Sequence, residues 1–212
     1  MKRSRIVLAD DHALIPEMLR TLLEPEFEVV GIFTDGQQLV EGAAALQPDV
    51  IVLDIGMPTM NGLTAGSRLK KAMPMVKLVY LTMNEDADMT SEAFRLGASA
   101  YLLKNTAASE LLKAIRYALR GGYYASRELT EGMIGSFVQK FKQRKPAKPL
   151  TLRQREVLQL LAEGRSLKEA AFILNLAPRT VAFHKYNMMD HLQVHSSAEL
   201  IEYALKRSLV AV

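Results

Sequence analysis

Four short apolar runs, Ile6-Val7-Leu8, Val50-Ile51-Val52-Leu53, Leu78-Val79-Tyr80-Leu81 and Tyr101-Leu102-Leu103, pass without a charged residue. A strand with one wet face alternates apolar and polar residues. A strand covered by helices on both faces is apolar throughout, so these runs read as inner strands of a parallel sheet. Segments with helical spacing fall near 12–24, 36–47, 62–73, 86–97 and 107–120, giving five strand–helix alternations over residues 1 to about 120. That alternation predicts an α/β domain built from right-handed crossovers. Asp35 with Gln38 has the spacing of a capping box, Gly97 suits a left-handed helix stop, and Gly121-Gly122 ends the last helix. Pro16 falls in the first turn of its helix, where a missing amide donor is tolerated.

The residues directly after these runs carry the chemistry. Asp10-Asp11, Asp54, Thr82 and Lys104 each follow a strand end, and open parallel sheets bind their ligands outside the carboxyl ends of the strands. Three carboxylates, a hydroxyl and an ammonium are thereby brought to one rim. A carboxylate can form an acyl phosphate by attacking phosphorus, but two anions must first be drawn together. Mg²⁺ (or Mn²⁺) does this by bridging carboxylate and phosphate oxygens. Asp10 and Asp11 are the candidate metal ligands, and Asp54 is the candidate nucleophile that also reaches the metal. Lys104 offsets the charge of the transferred group, and Thr82 donates to one of its oxygens.

Charge divides the chain. Residues 1–140 hold 15 lysines and arginines against 17 aspartates and glutamates, a balance of −2, whereas residues 141–212 hold 12 against 6, a balance of +6. Only the C-terminal third therefore suits a polyanion. Between them, Gln143-Arg144-Lys145-Pro146-Ala147-Lys148-Pro149 mixes cations with prolines and has no apolar period, as a linker does. The expected domains are 1–122, a partly helical linker 123–149, and 150–212. No stretch approaches the ~20 apolar residues of a membrane span. Cysteine is absent, which removes disulfides and thiolate chemistry. No membrane association and a cytoplasmic location are expected.

Beyond the linker, Thr151 with Gln154, Ser166 with Glu169 and Ser196 with Glu199 each have capping-box spacing, and Pro178 suits the start of a third helix. Leu174-Asn175-Leu176-Ala177 is long enough only for a tight turn, and asparagine tolerates positive φ. Two helices joined in this way make a helix-turn-helix. Ala177 lacks the side-chain cap that would normally start the third helix.

The whole pattern resembles a known family. The acid pair, Asp54-Ile55-Gly56-Met57-Pro58-Thr59-Met60-Asn61-Gly62, Thr82 and Lys104 are similar to the receiver domain of two-component response regulators. Leu150-Thr151, Arg155-Glu156-Val157-Leu158, Leu161-Ala162-Glu163-Gly164, Lys168-Glu169-Ala170-Ala171, Thr180-Val181, His184, Leu192 and Val194 resemble the LuxR-type helix-turn-helix. Together they resemble the NarL/FixJ group of transcription regulators. The resemblance implies a flavodoxin-like five-stranded parallel sheet of order 2-1-3-4-5, followed by an all-α four-helix domain. It further implies that a sensor histidine kinase phosphorylates Asp54, that the Gly56 backbone carbonyl completes the metal site, and that Thr82 and Tyr101 form the switch. Tyr101 also reads as a strand aromatic simply packed on a helix. In such proteins the unphosphorylated receiver can cover the recognition helix. Double-stranded DNA, a second copy of the chain and RNA polymerase are the partners so implied.

On the third helix, Val181, Met188 and Leu192 are spaced to face inward, which leaves Arg179, Thr180, Ala182, Phe183, Lys185 and Tyr186 for the major groove and its phosphates. Lys168 joins them from the preceding helix. His184 reads equally as a DNA contact or as a histidine bonded within its own domain. Ala182 and His191 stand where many relatives carry basic residues, so this recognition helix is less cationic than theirs. Leu200 and Tyr203, with Glu202 and Lys206, are the candidates for pairing through the last helix, which also reads as a helix that only closes its own core. A phosphatase using Asp54 is the rival enzyme class. Such enzymes want a second acid beside the nucleophile, and position 56 is glycine.

Overall fold

The computed structural model describes residues 3–83, 87–105, 108–142 and 150–206, except for the side chains of 135–142. Six strands, β1 Arg5–Ala9, β2 Glu28–Phe33, β3 Val50–Asp54, β4 Lys77–Thr82, β5 Ala98–Leu103 and β6 Tyr124–Ala125, form one sheet in the order β2-β1-β3-β4-β5-β6. Every described pairing is parallel. The expected order is present, and it gains a sixth strand. Tyr124-Ala125 is too short to show a strand period, and it joins the sheet only because the chain returns along the free edge of β5.

Helices α1 Leu14–Leu23 and α5 Ala108–Leu119 lie on one face of the sheet. The other face carries α2 Gly36–Gly42, α3 Gly62–Ala72 and α4 Ala87–Arg95. Strand alternation sends Ile6, Leu8, Val50 and Val52 to the first core, and Val7, Ala9, Ile51 and Leu53 to the second. Both sets are buried, which accounts for the unbroken apolar runs. Asp35 caps α2 by accepting from the Gln37 and Gln38 amides, which is the N-cap half of the expected box, and Gly97 stands at φ 101 after α4.

Residues 127–142 form α6 Arg127–Lys142, which packs on α4, so much of the expected linker is a helix held against the receiver. The C-terminal helices are α7 Leu152–Ala162, α8 Leu167–Ile173, α9 Pro178–Leu192 and α10 Ser197–Lys206. Complete capping boxes start α7 and α8. At α10 the Ser196 hydroxyl accepts from the Glu199 amide, while the Glu199 carboxylate accepts from the Ser196 hydroxyl through Oε1 and, through Oε2, from the backbone amide of His195. Asn175 sits at φ 52 in the turn between α8 and α9, and Ala177 offers no side-chain cap. The second receiver core continues without a break into Val157, Leu158, Leu160, Val181 and Ala204 of these helices.

Gly62 shows how closely the loop after β3 is packed. A Cβ there would overlap the Asp54 carbonyl oxygen, and the Gly62 amide donates to the Ile55 carbonyl at 2.9 Å. Gly121, at φ 85, has open space around it. Gly62→Ala should therefore destabilise the receiver by about 2 kcal/mol or more through overpacking. Gly121→Ala should lose only about 1 kcal/mol, since its penalty is conformational alone. Urea unfolding of both variants checks the ranking.

Candidate functional site

The carboxyl ends of β1, β3, β4 and β5 gather the expected residues. Asp10 follows β1, Asp54 and Thr82 close β3 and β4, and Lys104 follows β5, its amide donating to the Thr82 carbonyl at 2.7 Å. Asp10, Asp54 and Thr82 are all buried. Lys104 Nζ lies 2.8 Å from Asp10 Oδ2 and 3.0 Å from Asp54 Oδ2. One ammonium thus ties the ends of β1 and β3 together. The other Asp54 oxygen accepts from the Ile55 amide at 2.7 Å.

Among the described residues, charge at this rim is unbalanced, with Asp10, Asp11 and Asp54 gathered around Lys104 and His12. Burial pushes the Asp54 carboxyl above its ordinary range, with Lys104 opposing that rise and Asp10 adding to it. Burial works against the Lys104 charge, yet the Asp54 and Asp10 carboxylates together hold its ammonium above the usual lysine value. The ligand atoms of Asp10, Asp11, His12 and Asp54 lie within 4.8 Å of one another. Three carboxylates with an imidazole beside them, on a scale that one small ion spans, suit a hard divalent cation. His12 was not singled out by the sequence: its Nδ1 sits 3.0 Å from Asp10 Oδ1 and 3.1 Å from Asp11 Oδ1.

Tyr101 is fully buried, with its ring centroid 6.1 Å from that of Tyr80. Burial raises its hydroxyl above the tyrosine range, while the hydroxyls of Thr82 and Thr90 and the Arg155 guanidinium act in the opposite sense. Arg155 belongs to α7, so a cation of the C-terminal domain is felt at the tyrosine beside the acidic site. Arg155 is itself buried, which lowers its basicity, and Glu92 of α4 and Tyr203 of α10 work the other way.

That seam between the domains was not foreseen. Gln159 Nε2 donates to the Met57 carbonyl at 2.8 Å, Glu163 Oε1 accepts from the Thr59 amide at 2.9 Å, and Arg68 of α3 pairs with Glu156 at 2.6 Å. Thr59 stands at φ 62, a left-handed conformation that costs a β-branched residue roughly 1–2 kcal/mol. In sequence Glu156, Gln159 and Glu163 look like ordinary polar positions on and just after a surface helix. Their partners lie about a hundred residues away, and no local pattern marks them.

The recognition helix α9 is differently placed. Arg179, Phe183 and Tyr186 are exposed and Thr180, His184 and Lys185 half-buried, with Lys168 exposed on α8. Lys185 Nζ lies 5.5 Å from the Tyr186 ring centre, and the Phe183 and His184 rings are 5.9 Å apart. The receiver docks on α7 and leaves Arg179, Phe183 and Tyr186 exposed, where the resemblance implied a covered recognition helix. Leu200 is a correction to the pairing set: at 1% exposure it is sealed in the core of its own domain and offers no surface. Tyr203 is half-buried, its hydroxyl raised by burial and by Asp88 of α4 and lowered by Arg155, which places it at the domain seam. Glu202 and Lys206 are exposed on α10 and paired at 2.7 Å.

The sequence matches the family described as Response regulator receiver domain over residues 6–116, and that described as Bacterial regulatory proteins, luxR family, over residues 148–204. Oxygen regulatory protein NreC of Staphylococcus carnosus (strain TM300) is 35% identical over 214 residues, covering 97% of this chain and 99% of that protein. NreC of Staphylococcus aureus (strain JH9) is 36% identical with the same coverage. RcsB from Salmonella enterica serovar Typhimurium, solved bound to promoter P1flhDC with the phosphomimetic BeF3-, matches with a TM-score of 0.73 at 26% identity over 95% of this chain and 98% of that one. A second structure of the Salmonella typhimurium RcsB response regulator gives a TM-score of 0.72 at 28% identity over the full length of both chains. With both halves matched in order and relatives aligned over nearly their whole length, the chain belongs to the response regulators of the NarL/FixJ group, which join a receiver domain to a LuxR-type helix-turn-helix.

Proposed function

We propose that the protein is a cytoplasmic transcription regulator whose DNA binding is controlled by phosphorylation of Asp54. The single observation that carries this reading is the Lys104 ammonium held between Asp10 and Asp54 beside an acidic cluster at the sheet rim. A sensor histidine kinase is the phosphoryl donor, and the receiver catalyses the transfer itself. The Asp54 carboxylate attacks the phosphorus, the bond to the donor's imidazole nitrogen breaks, and the phosphoryl group passes to the Asp54 oxygen. Asp10, Asp11, Asp54 and the Gly56 carbonyl would hold Mg²⁺, which when bound neutralises phosphoryl oxygens. Lys104 then moves from pairing with Asp54 to pairing with the phosphoryl group, and the Thr82 hydroxyl donates to it. Tyr101, already inside, packs behind Thr82. Such a change shifts the balance between existing conformations.

At the other end, Arg179 and Lys185 neutralise phosphates while Thr180, Phe183, His184 and Tyr186 meet the groove, with Lys168 beside them. The +6 balance of residues 141–212 supports this polyanion target. The protein is read as a homodimer on paired half-sites, with RNA polymerase as a further partner. Pairing through α10 falls on its exposed side near Glu202 and Lys206, since Leu200 is internal.

Three outcomes test this reading. A small phosphodonor should tighten binding of the wild-type chain to footprinted genomic sites by at least about tenfold, or ~1.4 kcal/mol, and should leave Asp54→Ala unchanged. Equal wild-type affinity with and without donor, at one stated salt concentration, removes the switch. For the DNA surface, Lys185→Ala should weaken binding to all sequences alike and lower the salt slope by about 1, whereas Phe183→Ala should change sequence preference at constant slope. Equilibrium titrations over a range of salt read both.

The third outcome concerns stability. The folded-state pKa of Asp54 is raised, so the native state favours the protonated acid, and stability falls as pH climbs from the unfolded carboxyl value through the folded one. At neutral pH without divalent cation, Asp54→Asn should therefore melt above wild type. Added Mg²⁺ should raise the wild-type melting point by a few degrees, as ligand linkage of about 1 kcal/mol implies, and move Asp54→Asn much less. Scanning calorimetry with and without Mg²⁺ makes the comparison.

A further inference from the structure

We propose that Gln159 and Glu163 of the DNA-binding domain are positioning residues for the phosphoryl site. Their docking on the loop after Asp54 strengthens cation binding there. The inference rests on the phosphoryl reading of the site given above.

The contacts fall on backbone, within five residues of the nucleophile. Gln159 Nε2 donates to the Met57 carbonyl at 2.8 Å and also to Glu163 Oε1 at 2.7 Å. That same Glu163 oxygen accepts from the Thr59 amide at 2.9 Å. Gln159 is 1% exposed, so its amide is committed to this joint. Its Oε1 has no hydrogen-bond partner among the described residues, and the packing bears that loss to keep the Nε2 bonds.

The loop needs such support. Thr59 is held at φ 62, where a β-branched residue is strained, and its amide partner comes from the other domain. Inside the loop, the Met60 amide donates to the Pro58 carbonyl at 2.6 Å and the Gly62 amide to the Ile55 carbonyl at 2.9 Å. Gly56, whose carbonyl is the proposed fourth cation ligand, sits between Ile55, fixed by Asp54 and Gly62, and Met57, fixed by Gln159. Removing α7 would return the Met57 carbonyl and the Thr59 amide to water and let Thr59 relax to an ordinary φ. The Gly56 peptide, whose own amide bonds the Asp54 carboxylate, would then lose its anchor on the Met57 side.

The sign follows from what the docked form contains. With α7 in place, the carboxylates already converge and Tyr101 already lies inside. Interactions that favour docking therefore favour the assembled site, and linkage makes the effect mutual: cation at Asp54 should hold the DNA-binding domain on the loop. The Arg68–Glu156 ion pair beside the loop, shared with Arg153, adds registry to the docking.

The test is Mn²⁺ binding to the full-length chain, read as loss of the free-ion electron paramagnetic resonance signal. Gln159→Ala and Glu163→Ala should each weaken Mn²⁺ binding about fivefold or more, while Glu163→Gln, which keeps an acceptor for the Thr59 amide, should stay near wild type. In parallel, Mg²⁺ should slow hydrogen exchange of the Thr59 amide in wild type, and do so much less in Glu163→Ala. Unchanged or tighter Mn²⁺ binding in both alanine variants, with wild-type circular dichroism, overturns the proposal. Should Gln159→Ala fail to fold, the comparison of Glu163→Ala with Glu163→Gln decides alone. Asp54→Asn separates the two readings: if it binds Mn²⁺ as wild type does, or wild type binds none, the phosphoryl reading falls and this one with it. If Asp54→Asn is weakened and the α7 variants are not, only the positioning role falls.

Discussion

Two buried carboxylates, Asp10 and Asp54, held at one sheet rim by the Lys104 ammonium are the constraint on which the rest of this molecule depends. Burial in a helix-covered parallel sheet makes that arrangement unfavourable on its own, as the raised Asp54 carboxyl shows. Lys104 relieves part of it by bridging Asp10 and Asp54, so the ends of β1, β3 and β5 are tied through charge as well as through the strand ladder. The remaining excess of negative charge suits a divalent cation. Stability held below its potential at a functional site is a common trade.

Much of this was legible in the chain because it rests on local rules. Ile51 and Leu53 face one core and Val50 and Val52 the other, so the strand had to be apolar on both sides, and it reads that way. Thr151, Ser166 and Asn175 announce their caps and turn through side-chain chemistry that acts within three residues or through a tolerated φ. The site residues were legible because a strand end is a fixed place in such a sheet.

What escaped was set by tertiary juxtaposition. Tyr124-Ala125 becomes a strand only because the edge of β5 is near. Thr59 adopts a left-handed φ that its own side chain disfavours, with a glutamate from the other domain on its amide. Gln159 sits at a position where a helix facing water would also carry glutamine, and only docking makes it internal. Leu200 had the spacing of a pairing residue and of a core residue alike, and the core took it. The same seam grips the loop beside Asp54 through Gln159 and Glu163 while Arg179, Phe183 and Tyr186 of the recognition helix stay exposed.

The most direct measurement is to map the phosphoryl group chemically. Full-length protein incubated with phosphoramidate and Mg²⁺, then trapped by borohydride reduction and digested, should yield the reduced residue at position 54 and nowhere else, with none formed when Mg²⁺ is withheld. A phosphoryl group found on another residue, or on Asp54 to the same extent without a divalent cation, would contradict the account.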